Sequence, residues 1–184
     1  MIKYFHFIFA FAIIGLTACQ SEENKEDATA GTVDLAIEIK ALEDSVYTEN
    51  REGFRLMQEK NARLLIEKYE AFAKTAVEET EVIDALFKAI SVAQYNKSYA
   101  KAAQLLKEIY TKYPKSNGAV RARFDEAYLY DDKIQNFDKA KELYEAFIKD
   151  YPDSKYTTTA EQCLSILGED LDDILKRVQE KAGR

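Results

Sequence analysis

Apolar residues recur along this chain at the spacing of a helix face rather than in alternation. Val82, Leu86, Ala89, Ile90 and Ala93 form one such stripe, Ala102, Leu105, Leu106, Ile109 and Tyr110 a second, and Ala140, Leu143, Tyr144, Phe147 and Ile148 a third. Spacings of three and four residues place each set on one side of an α-helix. The pattern predicts a succession of amphipathic helices. One helix starts at Thr32 or Asp34 and runs to about Tyr47, carrying Leu35, Ile39, Leu42 and Val46. After a polar break at residues 48–53 a longer helix carries Phe54, Met57, Leu64, Leu65, Tyr69, Phe72 and Ala76, and another spans Glu79 to Gln94. No Val/Ile/Thr-rich run alternates with period two between turn residues, so strands are not expected.

Punctuation between the stripes is consistent with helical hairpins. Tyr113-Pro114 and Tyr151-Pro152 each stop a helix, because proline lacks an amide hydrogen and restrains the residue before it. Ser98, Ser116 or Asn117, and Asn136 stand where a side-chain oxygen would accept from the orphan amides of the following helix. Val120, Phe124, Ala127 and Tyr128 supply the stripe after Ser116. Ser154 opens a further helix to Leu167, and Gly168 is placed to close it with a left-handed residue. From Glu169 to about Ala182, acids precede bases, as the helix dipole favours, and the expected role is a cap on an open stack.

One segment occurs twice. Residues 98–116, SYAKAAQLLKEIYTKYPKS, and 136–154, NFDKAKELYEAFIKDYPDS, keep a constant offset of 38 (Tyr113 to Tyr151, Ala102 to Ala140). A fixed period of that size is the signature of stacked helical hairpins. Tyr69-Glu70-Ala71-Phe72 echoes Tyr144-Glu145-Ala146-Phe147, so residues 34–77 read as a degenerate first repeat. The repeats are then about 34–77, 79–116 and 117–154, with capping helices over 154–182, inside a helical domain of 33–184.

Those repeat residues, Ala102-x3-Leu106-x2-Ile109-x4-Pro114 and Ala140-x3-Tyr144-x2-Phe147-x4-Pro152, resemble the second helix of the tetratricopeptide repeat. Ala89-x2-Val92 and Ala127-x2-Tyr130 are similar to the small-x-x-aromatic pair of its first helix. The resemblance implies an all-α fold of antiparallel helical hairpins stacked as a short right-handed solenoid. Two departures stand out: the period is 38 instead of 34, and Ile109 and Phe147 occupy a position usually held by alanine. The Tyr-Pro-x-Ser variety is similar to repeats of outer-membrane lipoproteins of the barrel-assembly and cell-division coordinator type.

The N-terminus reads as an address. MIKYFHFIFAFAIIGLTAC has one early lysine, an apolar run from Phe5 to Leu16 and small residues before Cys19, the layout of an export signal too short to span a bilayer. Leu16-Thr17-Ala18-Cys19 resembles the lipobox of bacterial lipoproteins, which implies a signal peptide of residues 1–18 and lipidation (diacylglycerol and palmitate) at Cys19. Residues 19–32 then read as the lipidated cysteine and an acidic, disordered tether, spanning roughly 20 Å on average. Gln20 follows the cysteine where an inner-membrane retention signal would place aspartate, and Gln20-Ser21-Glu22-Glu23 resembles the acidic export signal of surface lipoproteins. The expected location is the outer membrane, lipid-anchored, surface-exposed or periplasm-facing.

Composition excludes more than it assigns. A net charge of −7 offers no basic stripe for nucleic acid. His6, the only histidine, lies in the leader, so the rest of the chain has no imidazole base near neutral pH. There is no glycine-rich phosphate loop and no His/Cys cluster for zinc. Cys163 sits among Leu164, Ile166 and Leu167, as a buried inert thiol would. Neither an enzyme, a cofactor, a metal site nor a small-molecule substrate is expected. What remains is a scaffold for an envelope protein or peptide, joined to the membrane through Cys19; a structural, self-assembling subunit of an outer-membrane complex is the alternative. Stacked hairpins present the first helix of each pair to a concave face. Transferred by register, that geometry points to Ile90, Gln94, Arg121, Phe124, Tyr128 and Asp131 as groove residues.

Overall fold

The computed structural model describes residues 19–45, 47–49 and 55–182, with side chains for 31–45, 58–170 and 172–180. The leader and the lipidation site at Cys19 lie outside the described side chains. Among the described residues eight α-helices follow one another: α1 (Cys19–Ser45), α2 (Glu59–Thr75), α3 (Glu79–Tyr95), α4 (Tyr99–Lys112), α5 (Asn117–Tyr128), α6 (Phe137–Asp150), α7 (Thr157–Ser165) and α8 (Leu171–Ala182). Each helix from α1 to α7 packs chiefly on its neighbours in the chain, the one-dimensional order of a helical solenoid.

The first pair departs from expectation in two ways. Helix α1 reaches back to Cys19, so residues read as a disordered tether are helical; Glu, Lys, Ala and Gln are good helix formers and no proline interrupts them. Between α1 and α2 the chain forms a short antiparallel hairpin, β1 (Tyr47–Glu49) with β2 (Arg55–Met57). Strands were not expected, and three-residue strands are too short to show alternation. Met57 therefore belongs to a strand, Phe54 and Val46 lie outside the described residues, and Leu64 faces solvent. Thr32 meets Thr75, and Asn61 donates to the Ser45 carbonyl at 3.3 Å, which sets α1 and α2 antiparallel.

The stripe of α3 is buried as the spacing predicts, with Val82, Leu86, Ala89, Ile90 and Ala93 all under 7 % exposed. Ala102 and Ala140 are fully buried and let the helices of each hairpin approach. Ser116 and Asn136 cap as expected, accepting from the amides of Ala119 (3.0 Å) and Lys139 (3.1 Å). Ser98 does not; its hydroxyl accepts instead from the Asn96 side chain. Ser154 accepts from the Tyr156 amide in a turn, and α7 begins later and ends earlier than the sequence predicts. Gly168 is left-handed at φ 73°.

Among the described residues two apolar cores result. The larger joins α1 to α4 and takes in Ala122 and Leu129 of the next hairpin; the smaller holds Phe124, Ala127, Ala140, Tyr144, Phe147 and Ala160. Helix α7 closes the smaller core through Ala160, with Cys163 half-buried against it. Helix α8 differs from the expected cap: among the described residues it packs broadly against no other helix, and Leu175 and Val178 are exposed.

The extra residue of the third hairpin has a definite place. Leu129–Lys133 form a π-helical turn, which adds one residue to a helix without breaking it. Lys97 and Gln135 occupy equivalent left-handed turns, yet Ser98 bonds back to the Ala93 carbonyl and Asn136 to that of Tyr130, one residue farther. Before this turn the hairpins correspond at an offset of 37, after it at 38. Ala89 is therefore matched by buried Glu126, and Leu86 by Arg123. Tyr110 donates to Glu126 at 2.9 Å, the Arg123 guanidinium lies 4.9 Å from the Tyr110 ring, and Arg123 pairs with Asp150 at 2.8 Å. Burial pushes the Glu126 carboxyl up, against the Tyr110 hydrogen bond and nearby cations.

Candidate functional site: a groove across the first helices

A groove of roughly 1210 Å³ runs over the N-terminal halves of α3 and α5 and the loop into α7. Its floor is apolar: Ile83 and Phe87 from α3, Val120 from α5, Tyr151 and Tyr156 from the loop. Each first-helix phenylalanine is covered by a flat group from the next hairpin. The Arg121 guanidinium lies 4.2 Å from the Phe87 ring centre, and Tyr156 stacks on Phe124 at 5.2 Å and 15°. Lys155 in turn lies 5.0 Å from the Tyr156 ring. Such cation–ring contacts contribute about 0.5–1 kcal/mol each at exposed sites. Their main effect is to hold flat, amphipathic surfaces in place.

Both signs of charge line the rim. Glu79, Asp84 and Asp153 contribute acids, and Lys115, Arg121 and Lys155 contribute bases. Arg121 also pairs with Asp125 at 3.2 Å, whose carboxyl is pushed up by burial and pulled back by that guanidinium. Where α5 enters, Gly118 makes room: a Cβ there would stand 2.7 Å from Ile83 Cγ2. This glycine lets α5 approach α3 and sets the depth of the groove. A smaller cleft of roughly 500 Å³ lies between α2, α3 and α4, closed over by Glu70, Lys74, Glu108 and Lys112, with no comparable aromatic surface.

The arrangement can hold an extended chain with apolar and charged side chains by turns. Among the described residues no group of three or more His, Cys, Asp or Glu side chains is arranged to hold a metal ion, and no helix is long and apolar enough to cross a membrane.

Of the six residues that register reasoning assigned to the groove, Arg121 lines it. Ile90 and Phe124 are core side chains, 3 % and 9 % exposed. Gln94 is half-buried beyond the groove, and Tyr128 is exposed outside it. Asp131 sits on the π-helical turn and accepts from the buried Tyr144 hydroxyl at 3.2 Å, a structural task. Burial raises the Asp131 carboxyl, and the Tyr144 bond opposes the rise. Ile83, Asp84 and Phe87 are hidden when the first helices are aligned at the offset of the second, and Tyr156 lies in the loop beyond both repeats. Aligned at 37, Asp84-x2-Phe87 matches Arg121-x2-Phe124, a correspondence visible in the sequence.

The family model described as tetratricopeptide repeat matches residues 84–116 and 121–154. The chain carries two tetratricopeptide repeats. Their limits repeat the structural register: the starts pair Asp84 with Arg121, the ends pair Ser116 with Ser154, and the second match is one residue longer. The π-helical turn lies inside that longer repeat. The groove is bounded by the first helices of both repeats and by the loop that leaves the second. None of the curated proteins matches the chain.

Proposed function

We propose that the protein is a membrane-anchored scaffold lipoprotein of the cell envelope, which uses its tetratricopeptide repeats to hold another protein. The observation that carries this reading is the groove itself: two matched repeats align their first helices and present Phe87, Arg121 and Tyr156 along one face. A concave, amphipathic strip with both charges on its rim suits an extended peptide or a partner helix. The anchor is argued from the apolar leader and the Leu16-Thr17-Ala18-Cys19 motif, which together favour an acylated Cys19 on an outer-membrane leaflet, surface-exposed or periplasm-facing. Catalysis plays no part in this reading, since the residues after the leader offer no imidazole and no activated nucleophile.

In-cell crosslinking followed by affinity capture of the tagged protein tests the scaffold. A discrete protein partner, lost in Phe87→Ala, is expected; recovery of no partner, or of one indifferent to Phe87, would contradict the groove. Metabolic labelling with a clickable fatty acid tests the anchor, and the label is expected to vanish in Cys19→Ala.

A further inference from the structure

Helix α8 carries a sequence that reads as its own complement. Residues 171–178 are Leu-Asp-Asp-Ile-Leu-Lys-Arg-Val. Read backwards against themselves, every apolar position meets an apolar position and every acid meets a base: Leu171 with Val178, Asp172 with Arg177, Asp173 with Lys176, Ile174 with Leu175. Among the described residues no other element packs broadly on this helix, and Leu175 is 48 % and Val178 56 % exposed. Its apolar positions recur at three, one and three residues, which makes a single stripe. Within residues 171–178 the acids Asp172 and Asp173 lie in the first turn and the bases Lys176 and Arg177 after the stripe's midpoint, and Glu180 follows beyond the stripe.

We infer that α8 is a self-association surface, and that its occupant is α8 of a second copy, packed antiparallel about a two-fold axis. This goes beyond the groove reading and does not depend on it. A two-fold contact must be self-complementary, since the same patch serves both sides. The order of charges decides among the arrangements. An antiparallel pair about a two-fold axis sets like flanks of the two helices side by side, so Asp172 of one copy meets the partner's Lys176 and Asp173 meets the partner's Arg177, at both ends. A parallel pair sets acid against acid and base against base. An anionic membrane would meet Asp170, Asp172 and Asp173 before the bases. Arg177 also has an intramolecular partner, Glu169 at 2.9 Å, which a second copy's acid would share or replace. The seam is about 12 Å long, at the small end of specific interfaces, so the dimer is weak and concentration-dependent, on the order of 10⁻⁵ M.

Charge reversal tests the proposal without touching either core. Sedimentation equilibrium of the purified chain is expected to show a monomer–dimer equilibrium. D172K/D173K and K176D/R177D are each expected to dimerise on the order of tenfold more weakly or worse, because each faces its own like charges. Mixed in equal amounts, the two variants are expected to recover a one-to-one dimer. Circular dichroism of each variant checks that the fold is kept. The proposal is overturned by a wild-type chain that stays monomeric to about 1 mM, by a dimer insensitive to the reversals, or by a mixture that fails to associate. Flotation of a monomeric chain with anionic vesicles, lost in Leu175→Asp, would give the stripe to a membrane and overturn it equally.

Discussion

Gly118→Ala sets two effects of known sign against each other at the wall of the groove. Alanine is the better helix former by about 1 kcal/mol in a helix interior, and Gly118 is the second residue of α5, so propensity alone predicts a small gain. Packing opposes it. The new Cβ would stand 2.7 Å from Ile83 Cγ2 and 3.5 Å from the Phe87 ring. Cγ2 is a branch methyl on a side chain only 8 % exposed, not a flexible end. In a helix a β-branched side chain has essentially one comfortable χ1, so α5 must move away from α3. Overpacking of this kind costs about 1–3 kcal/mol. The expected net is a destabilisation of about 1–2 kcal/mol, or roughly 2–8 °C in thermal midpoint for a chain of this size. Urea denaturation of Gly118→Ala, alone and with Ile83→Ala, isolates the contact as a double-mutant cycle. With Cγ2 gone, the alanine is expected to be neutral or stabilising. The same cost in both backgrounds, or a gain in the first, would refute the close approach.

Other expectations follow from the two cores. Ala140→Leu is expected to cost about 1–3 kcal/mol, because the fully buried Cβ lies where α6 meets α5; an unchanged denaturation midpoint would count against the hairpin register. Tyr144→Phe is expected to lose about 1 kcal/mol with the Asp131 hydrogen bond, and Tyr144→Ala about 3–5 kcal/mol with the ring; equal losses would assign no weight to packing. For Glu126 the raised carboxyl fixes the sign. The native state holds the proton more tightly than the unfolded chain, so this stability is full below the ordinary value near 4.5 and is lost as pH rises through the native one. Glu126→Gln keeps an acceptor for Tyr110 without the charge, so its thermal midpoint is expected to exceed wild type at pH 7 and to converge with it below about pH 4.5. A pH-independent difference would remove Glu126 as the cause.

The fold was legible because its determinants repeat. The stripe of α3, the alanines at 102 and 140, the two Tyr-Pro stops and the Ser116 and Asn136 caps all report local chemistry that one sequence displays. The hairpin at 47–57 was not, since strands of three residues carry no period. Nor was the placement of α8, whose dipole-matched charges look alike whether the helix caps a stack or stands free. The groove was half legible. Arg121 was found, but a single residue absorbed by the π-helical turn shifted the register of the first helices, and a one-residue slip exchanges a helix's buried side for its flank. At that slip Phe124 meets Leu86 instead of Phe87, and Arg121 meets Ile83 instead of Asp84. No cap or proline marks a π-turn; its trace is the pairing of buried Ala89 with buried Glu126 and of buried Leu86 with half-buried Arg123.

The most direct measurement of the central idea is site-specific photocrosslinking in intact cells. A photoreactive residue at position 84, on the groove rim, is compared with one at position 145, on the exposed side of α6. The groove account predicts a discrete protein adduct from position 84 and none from 145, weakened by Phe87→Ala. Adducts from 145 alone, or equally from both, would contradict it.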